Sequence, residues 1–99
     1  MRVTKSQIDA IRDIVAALAG DDATVRLFGS RLDDHVKGGD VDLLVEIPRP
    51  VEDPAPLAAG IAGRVSRAMD GRKVDVVIAA PNLLELPIHK VAREQGVRL

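Results

Sequence analysis

The stretch Val25–Glu46 reads VRLFGSRLDDHVKGGDVDLLVE and decides how the rest of the chain is interpreted. An apolar run ends at Gly29, a polar loop with two adjacent glycines follows, and a second apolar run opens at Asp40. Short apolar runs bounded by turn signals are typical of β-strands. We therefore expect two strands, joined by a loop that could carry chemistry.

Helical and strand patterns extend on both sides of this stretch and predict an α/β domain. The predicted elements are a helix capped by Thr4 and Gln7, strands over Thr24–Phe28 and Val41–Ile47, a helix from Asp53-Pro54 to Asp70-Gly71, a strand over Lys73–Ala80, and a helix from Pro87 to Gly96. The apolar run of the second strand favours burial on both faces. Val97–Leu99 could add a short edge strand.

Two further expectations concern the last helix. Asn82 and Glu85 have the spacing of a capping box ahead of it. Helical spacing assigns its inner face to Ile88, Val91, Ala92 and Gln95. His89 is then expected to be structural or exposed.

Size and composition narrow the class of protein. The 99 residues predict a single domain over 1–99, and 14 basic against 15 acidic residues give a net charge of −1. Because affinity for a long nucleic acid comes largely from neutralised phosphates, no extended nucleic acid is expected as a partner. Phe28 is the only aromatic residue and there is no cysteine, so base stacking and thiolate metal sites are not indicated.

The same composition bears on location. No stretch approaches the roughly 18 apolar residues of a membrane span. The first residues, MRVTKSQIDAIRDIV, contain acids and are amphipathic, so neither a signal peptide nor a transit peptide is indicated. A cytoplasmic protein without a membrane partner is the expectation.

Asp40 and Asp42 are the first candidate ligands. Two residues apart on a strand, their side chains leave the same face, where two carboxylates repel each other unless a cation lies between them. Mg²⁺ suits a site of one or two carboxylates with substrate phosphates. The alternative is a solvated strand end with two exposed acids.

Asp75 weakens that alternative. It interrupts an apolar run otherwise suited to a central strand, where a buried carboxylate needs a cation, hydrogen bonds or solvent. If this strand neighbours Val41–Ile47, Asp75 can converge with Asp40 and Asp42. Three carboxylates in one cleft match a two-metal phosphoryl-transfer site, where Asp75 could accept the proton of the attacking hydroxyl.

Gly29 and Ser30 follow the first strand directly and could cradle a phosphate through the backbone N–H groups and the serine hydroxyl. Arg31 could add a cation for a triphosphate. The stretch lacks the Walker A pattern, and a simple turn is the competing interpretation. The loop residues Asp33, Asp34 and His35 are expected to be solvated. The basic cluster Arg64, Arg67, Arg72 and Lys73 is either a solvated face or a contact for a partner or nucleotide.

Taken together, these motifs resemble the nucleotidyltransferase superfamily typified by DNA polymerase β. The resemblance rests on Gly29-Ser30, nine intervening residues, Asp40-x-Asp42 and the later strand acid Asp75. The compact form is most similar to the minimal nucleotidyltransferases (MNT type), which are antitoxins paired with HEPN-domain ribonuclease toxins. The spacer is one residue shorter than is usual in the MNT signature, and the difference falls in the loop.

The resemblance implies a small mixed sheet packed with helices and a nucleoside triphosphate bound as a magnesium complex. Gly29 and Ser30 would hold phosphates, and Asp40, Asp42 and Asp75 would be the catalytic residues and the ligands of a two-metal site. The reaction would transfer a nucleoside monophosphate, AMP from ATP, to a hydroxyl of a HEPN-type toxin with release of pyrophosphate.

The resemblance leaves other readings open. The chain has no room for the further domains that hold primer and template or an aminoglycoside, which favours a protein acceptor, and a homo- or hetero-oligomer could form. A non-catalytic antitoxin that neutralises its partner by complex formation is the second hypothesis. A structural domain with incidental acids is the third.

Overall fold

The computed structural model describes residues 3–29 and 40–99, and their elements follow the predicted order. They are helix α1 (Lys5–Ala19), strands β1 (Thr24–Phe28) and β2 (Val41–Glu46), helix α2 (Pro54–Ala68), strand β3 (Val74–Ala79), helix α3 (Pro87–Gln95) and strand β4 (Val97–Arg98). The α/β class and the short C-terminal strand are therefore confirmed. Within the described ranges no helix is long and apolar enough to cross a membrane.

The start of α1 confirms the predicted capping box. The Gln7 N–H donates to the Thr4 hydroxyl oxygen at 3.2 Å, and the Thr4 N–H donates to the Gln7 side-chain oxygen at 2.9 Å. Two amide groups that the helix itself leaves without partners are thereby satisfied. One stripe of the helix, including Ile11 and Val15, is buried.

The four strands form one mixed sheet in the order β3-β2-β1-β4. β2 pairs parallel with β3 and antiparallel with β1, while β4 pairs antiparallel with β1. β2 therefore lies inside the sheet, with Leu43, Leu44 and Val45 fully buried in succession. This burial on both faces explains the continuous apolar run of the second strand.

The two faces of the sheet carry different helices. α1 and α2 cover one face, where Leu43 and Val45 belong to the main core together with Ile11, Val15 and Ile61. α3 lies on the other face, where Ala92 packs with Phe28, Leu44 and Ala79 in a second, smaller cluster. Since successive strand residues alternate between faces, Asp42 and Glu46 share the α3 face with Leu44.

Two expectations about strand and helix placement were wrong. β3 is an edge strand and not a central one, so Asp75 is exposed and its carboxylate has direct access to water. On α3 the buried residues are His89 and Ala92, whereas Ile88 and Val91 each remain 40% exposed and Gln95 is also exposed. The small Ala92 allows close approach to the sheet, so it, rather than the larger aliphatic residues, faces Leu44.

The predicted helix ends also need correction. Asp53 precedes α2 but its side chain makes no capping hydrogen bond, and the helix ends at Ala68, two residues before the predicted stop. Asn82 does not cap α3; its side-chain amide pairs instead with the backbone N–H and C=O of Val51, at 2.9 and 2.8 Å. The Asn82 side chain, which the local pattern assigned to a helix cap, therefore bonds a segment distant in sequence.

Candidate functional site

The register of the sheet brings the predicted carboxylates to one place. Asp42 is directly opposite Asp75 across the parallel pair, and opposite Phe28 across the antiparallel one. Asp40 lies one residue before β2, where the Val41 N–H donates to the Lys73 carbonyl at 2.9 Å and continues the same register. The three acids therefore cluster at the edge of the α3 face where β2 and β3 begin.

Asp42 carries the electrostatic signature of this cluster. Burial raises the pKa of Asp42, and the negative charges of Asp75 and Asp40 raise it further, while the Lys73 ammonium lowers it. The net direction is upward, so the folded protein holds an ionised carboxylate against an unfavourable field. A cation placed between these acids would relieve that repulsion.

Lys73 supplies a cation to this cluster within the described part of the chain. Its Nζ lies 3.6 Å from Asp40 Oδ2, and both side chains are exposed. An ion pair this exposed contributes little to stability. It nevertheless places an ammonium group beside the three acids.

Gly29 forms the wall of the cluster on the β1 side. Its φ of +81° lies in the left-handed region, which residues with a Cβ rarely adopt. A Cβ built on Gly29 would also overlap Asp42 Oδ2. The positive φ therefore favours glycine here, and a larger residue would also have to displace the Asp42 carboxylate from this position.

The other end of the same face is arranged differently. Glu46 accepts hydrogen bonds from Arg26 Nε at 3.2 Å and from Arg93 Nε at 3.0 Å. Burial alone would raise the pKa of Glu46, but the hydrogen bonds and charges of Arg93 and Arg26 lower it. This carboxylate joins β2 to β1 and α3 and has its counter-charges built in, so it is structural.

His89 anchors the same end. It is 4% exposed; its Nδ1 accepts from the Leu86 N–H at 2.8 Å, and its Nε2 lies 3.0 Å from the Ile78 carbonyl. With Nδ1 accepting, the ring proton is on Nε2 and donates to that carbonyl. Both nitrogens are satisfied, which confirms the structural expectation for His89 and leaves it no capacity to bind a metal.

Not every predicted site residue can be placed. Ser30 and Arg31, predicted to bind nucleotide, lie outside the described residues, as do Asp33, Asp34 and His35. Sequence reasoning missed Glu46, Arg26 and Arg93 as a set, because only the strand register and the α3 docking bring them together.

The donor chemistry of the acid cluster suits a hard divalent ion. All three side chains offer oxygen, and Mg²⁺ is commonly held by one or two carboxylates with substrate phosphates completing its coordination. Across residues 3–29 and 40–99, no three carboxylate or imidazole groups are arranged to hold one ion by themselves. Asp40, Asp42 and Asp75 therefore fit a magnesium ion that takes one or two of these carboxylates and is completed by phosphates, and the two-metal site stays a prediction.

Two cavities of the described part lie away from the acids. One of about 500 Å³ lies between α1 and the β1–β4 edge, and one of about 360 Å³ lies near Glu46, Pro48 and Pro81. Neither includes any of the three acids among its lining residues. The acid cluster is therefore defined by its charges and its strand register.

Comparison with known proteins identifies the class. A family model described as a nucleotidyltransferase domain matches residues 8–97, nearly the whole chain. The chain therefore belongs to the nucleotidyltransferase domain family, whose members use a nucleoside triphosphate and a divalent metal ion.

A solved structure supports the fold. The chain is similar to a chain in the crystal structure of the toxin-antitoxin MntA-HpeT in a mutant form with two aspartate-to-glutamate substitutions. The TM-score is 0.58 at 16% identity, and the match covers 88% of this chain and 70% of that one. The search of curated proteins gave no match. The nucleotidyltransferase fold expected from the sequence is therefore confirmed.

Proposed function

We propose that this domain is a Mg²⁺-dependent nucleotidyltransferase that transfers AMP from ATP to a hydroxyl of a partner protein, as the antitoxin of a HEPN/MNT toxin–antitoxin pair. Membership of the nucleotidyltransferase family supports the reaction class. The observation that carries the site assignment is Asp42, in register with Asp75, near Asp40, and with a raised pKa.

The site residues divide the chemistry between them. Asp40, Asp42 and Asp75 would hold magnesium, and the bound metal would offset phosphate charge and orient the triphosphate. Gly29 would let a phosphate approach the backbone beside Asp42, with Ser30 and Arg31 adding a hydroxyl and a cation. A Cβ at Gly29 would displace the Asp42 carboxylate, so glycine keeps this proposed ligand beside the proposed phosphate site.

The proposed transfer is a single displacement at the α-phosphorus of ATP. The acceptor oxygen forms a bond to the α-phosphorus of ATP, the bond from that phosphorus to the bridging oxygen breaks, and pyrophosphate leaves. The hydroxyl proton passes to the Asp75 carboxylate, which is exposed and therefore open to an incoming acceptor. The products are the adenylylated partner and pyrophosphate.

An exposed apolar surface around α3 supports a protein as the acceptor. Its exposed members are Leu84 (80%), Leu86 (48%), Ile88 (40%), Val91 (40%) and Val97 (43%). Exposed apolar groups that cluster in space are typical of interaction sites. The similar solved structure is a toxin–antitoxin protein, which favours a toxin as the occupant.

The rotation of α3 about its axis suggests that its exposed apolar side chains lie on the side of the helix near the acids. Arg93 bonds Glu46 at one end of β2. Ala92 packs on Leu44, which lies between Glu46 and Asp42 on the same face of the strand. Around the helix, Ile88 and Val91 form a flank on the side of Ala92 that is opposite to Arg93. We infer that this flank faces the Asp42 end, where an acceptor seated on it would be close to the nucleotide.

Intact-mass spectrometry of a candidate HEPN partner, incubated with the domain, ATP and Mg²⁺, tests the proposal. The expected result is a mass increase equal to one or more AMP groups, which disappears with EDTA. Asp42→Asn is expected to slow the modification at least about 100-fold, since a displaced metal removes several kcal/mol of transition-state stabilisation. Modification by Asp42→Asn at the wild-type rate would overturn the assigned site.

A non-catalytic antitoxin is the second candidate, favoured by the apolar surface around α3, which could occlude a toxin without any transfer. It predicts that Asp40→Asn and Asp75→Asn still protect against the toxin and that the toxin gains no mass. Ile88→Glu, placed on the α3 flank, would then abolish protection, whereas the exposed Glu94→Gln on the same helix would not.

A further inference from the structure

Lys73 occupies a position that the proposed reaction has not used. It stands opposite Asp40 in the β2–β3 register and two residues before Asp75, and its carbonyl accepts the Val41 N–H at 2.9 Å. Since alternate strand residues share a face, its side chain leaves the sheet on the same side as that of Asp75. The backbone therefore directs this side chain toward the acid cluster.

The charge of Lys73 acts on two of the acids. Nζ lies 3.6 Å from Asp40 Oδ2, and the same ammonium lies close enough to Asp42 to favour its ionised form. Among the described residues, Lys73 is the basic side chain that lowers the pKa of Asp42. Lys73 thus partly balances the charges of Asp40 and Asp42 in the protein alone.

We propose that Lys73 is an internal counter-cation that competes with the divalent ion for Asp40 and, once released, binds the phosphates of the incoming nucleotide. The proposal rests on the function proposed above and adds a nucleotide-binding residue to it. A metal ion at Asp40 would repel the ammonium, and the negative triphosphate beside it would attract the released group. Lys73 therefore acts in opposite directions on free metal and on nucleotide.

Removal of the Lys73 charge should therefore change the affinity for free metal and the affinity for nucleotide in opposite directions. Without Lys73 the acids lose a competitor, so Lys73→Met is expected to bind free Mn²⁺ about two- to fivefold more tightly. The same variant loses a phosphate contact and is expected to bind Mn²⁺–ATP about three- to tenfold more weakly. Lys73→Arg keeps the charge and is expected to restore nucleotide affinity in large part.

Titration calorimetry with Mn²⁺ alone, and then with ATP at saturating Mn²⁺, measures both affinities without any turnover. The matched control is Lys90→Met, which removes a lysine of similar exposure whose Nζ is 3.9 Å from Glu94, on α3. It is expected to leave both affinities within about 1.5-fold of wild type, because its ammonium pairs with Glu94 on α3 and exposed charges interact weakly. Thermal melting verifies that all variants are folded.

Two results would overturn the inference. Unchanged affinities for both Mn²⁺ and Mn²⁺–ATP in Lys73→Met, with a wild type that binds both, would show that the ion pair is only a surface contact. An equal change in Lys90→Met would assign the effect to net charge. If the wild type bound neither Mn²⁺ nor Mn²⁺–ATP, the proposed function itself would fail, which these variants distinguish from failure of the Lys73 role.

Discussion

Asp42 and Glu46 make a direct comparison, because they lie four residues apart on the same strand and the same face of the sheet. Both are partly buried, yet their pKa values move in opposite directions. Glu46 is held by two arginines, whereas the nearest charges to Asp42 include two further carboxylates. Among the described residues, Lys73 is the cation recorded at the Asp42 end, so three carboxylates there share less positive charge than the single carboxylate of Glu46.

This difference separates the residues that stabilise the fold from those available for function. A carboxylate with its counter-charges in place joins elements, as Glu46 joins β1, β2 and α3. A carboxylate held close to other acids carries a cost that folding alone does not explain, and such sites are candidates for cation or substrate binding. The comparison predicts that substitutions at the Glu46 end, where α3 is anchored, lower stability and that substitutions at the Asp42 end do not.

The largest expected loss of stability is at His89. Replacement by alanine removes a buried ring and leaves the Leu86 N–H and the Ile78 carbonyl without their partners. His89→Ala is expected to lower the free energy of unfolding by about 2–4 kcal/mol, measured by urea denaturation. The neighbouring exposed Lys90→Ala serves as control and should change it by less than about 0.5 kcal/mol. Equal effects of the two substitutions would refute the anchoring role.

A smaller loss is expected at Glu46. Glu46→Gln keeps the shape of the side chain but removes the charge that Arg26 and Arg93 share, so we expect a destabilisation of about 1–2 kcal/mol. Glu94→Gln, which removes the carboxylate of an exposed pair on α3, should cost less than about 0.5 kcal/mol. The same denaturation experiment compares the two. If Glu46→Gln were as mild as Glu94→Gln, the two ends of the face would not differ in the way proposed.

Much of this arrangement could be predicted from local sequence patterns. The strand limits around Gly29 and Asp40 follow from short apolar runs bounded by turn residues, and Thr4 with Gln7 fixes the start of α1 because a capping box needs only neighbours. The two-residue spacing of Asp40 and Asp42 placed both on one face. Their proximity to Asp75 depends on the pairing of β3 with β2, which local patterns do not determine and the structure shows.

The parts that failed depend on contacts distant in sequence. Nothing in the run around Asp75 shows whether its strand is central or at an edge, because that is decided by pairing. The short α3 has apolar side chains on more than one flank, so its rotation is set by Ala92 on Leu44 and Arg93 on Glu46 rather than by periodicity. Asn82 likewise bonds Val51, thirty-one residues away.

The smallest and most discriminating effect is the dependence of stability on pH at the two ends. Since the pKa of Glu46 is lowered by folding, Glu46 stabilises the protein above its ordinary value of 4.5 and loses that contribution as the pH falls through the lower folded value. Since the pKa of Asp42 is raised, its ionised form opposes folding at neutral pH. That opposition weakens once the pH falls below the raised pKa and has ended below the ordinary value of 3.8.

In urea denaturation without metal between pH 7 and pH 3, the two variants Asp42→Asn and Glu46→Gln should therefore differ from wild type in opposite directions in their free energy of unfolding. Asp42→Asn should be slightly more stable than wild type at pH 7, by less than about 0.5 kcal/mol, and should lose this gain toward pH 3. Glu46→Gln should be less stable at pH 7 and should approach wild type over the same range. Asp53→Asn, at an exposed position without a capping hydrogen bond, is the control and should follow wild type throughout. A loss of stability in Asp42→Asn at pH 7 would mean that this carboxylate supports the fold as Glu46 does, and the contrast between the two ends would be withdrawn.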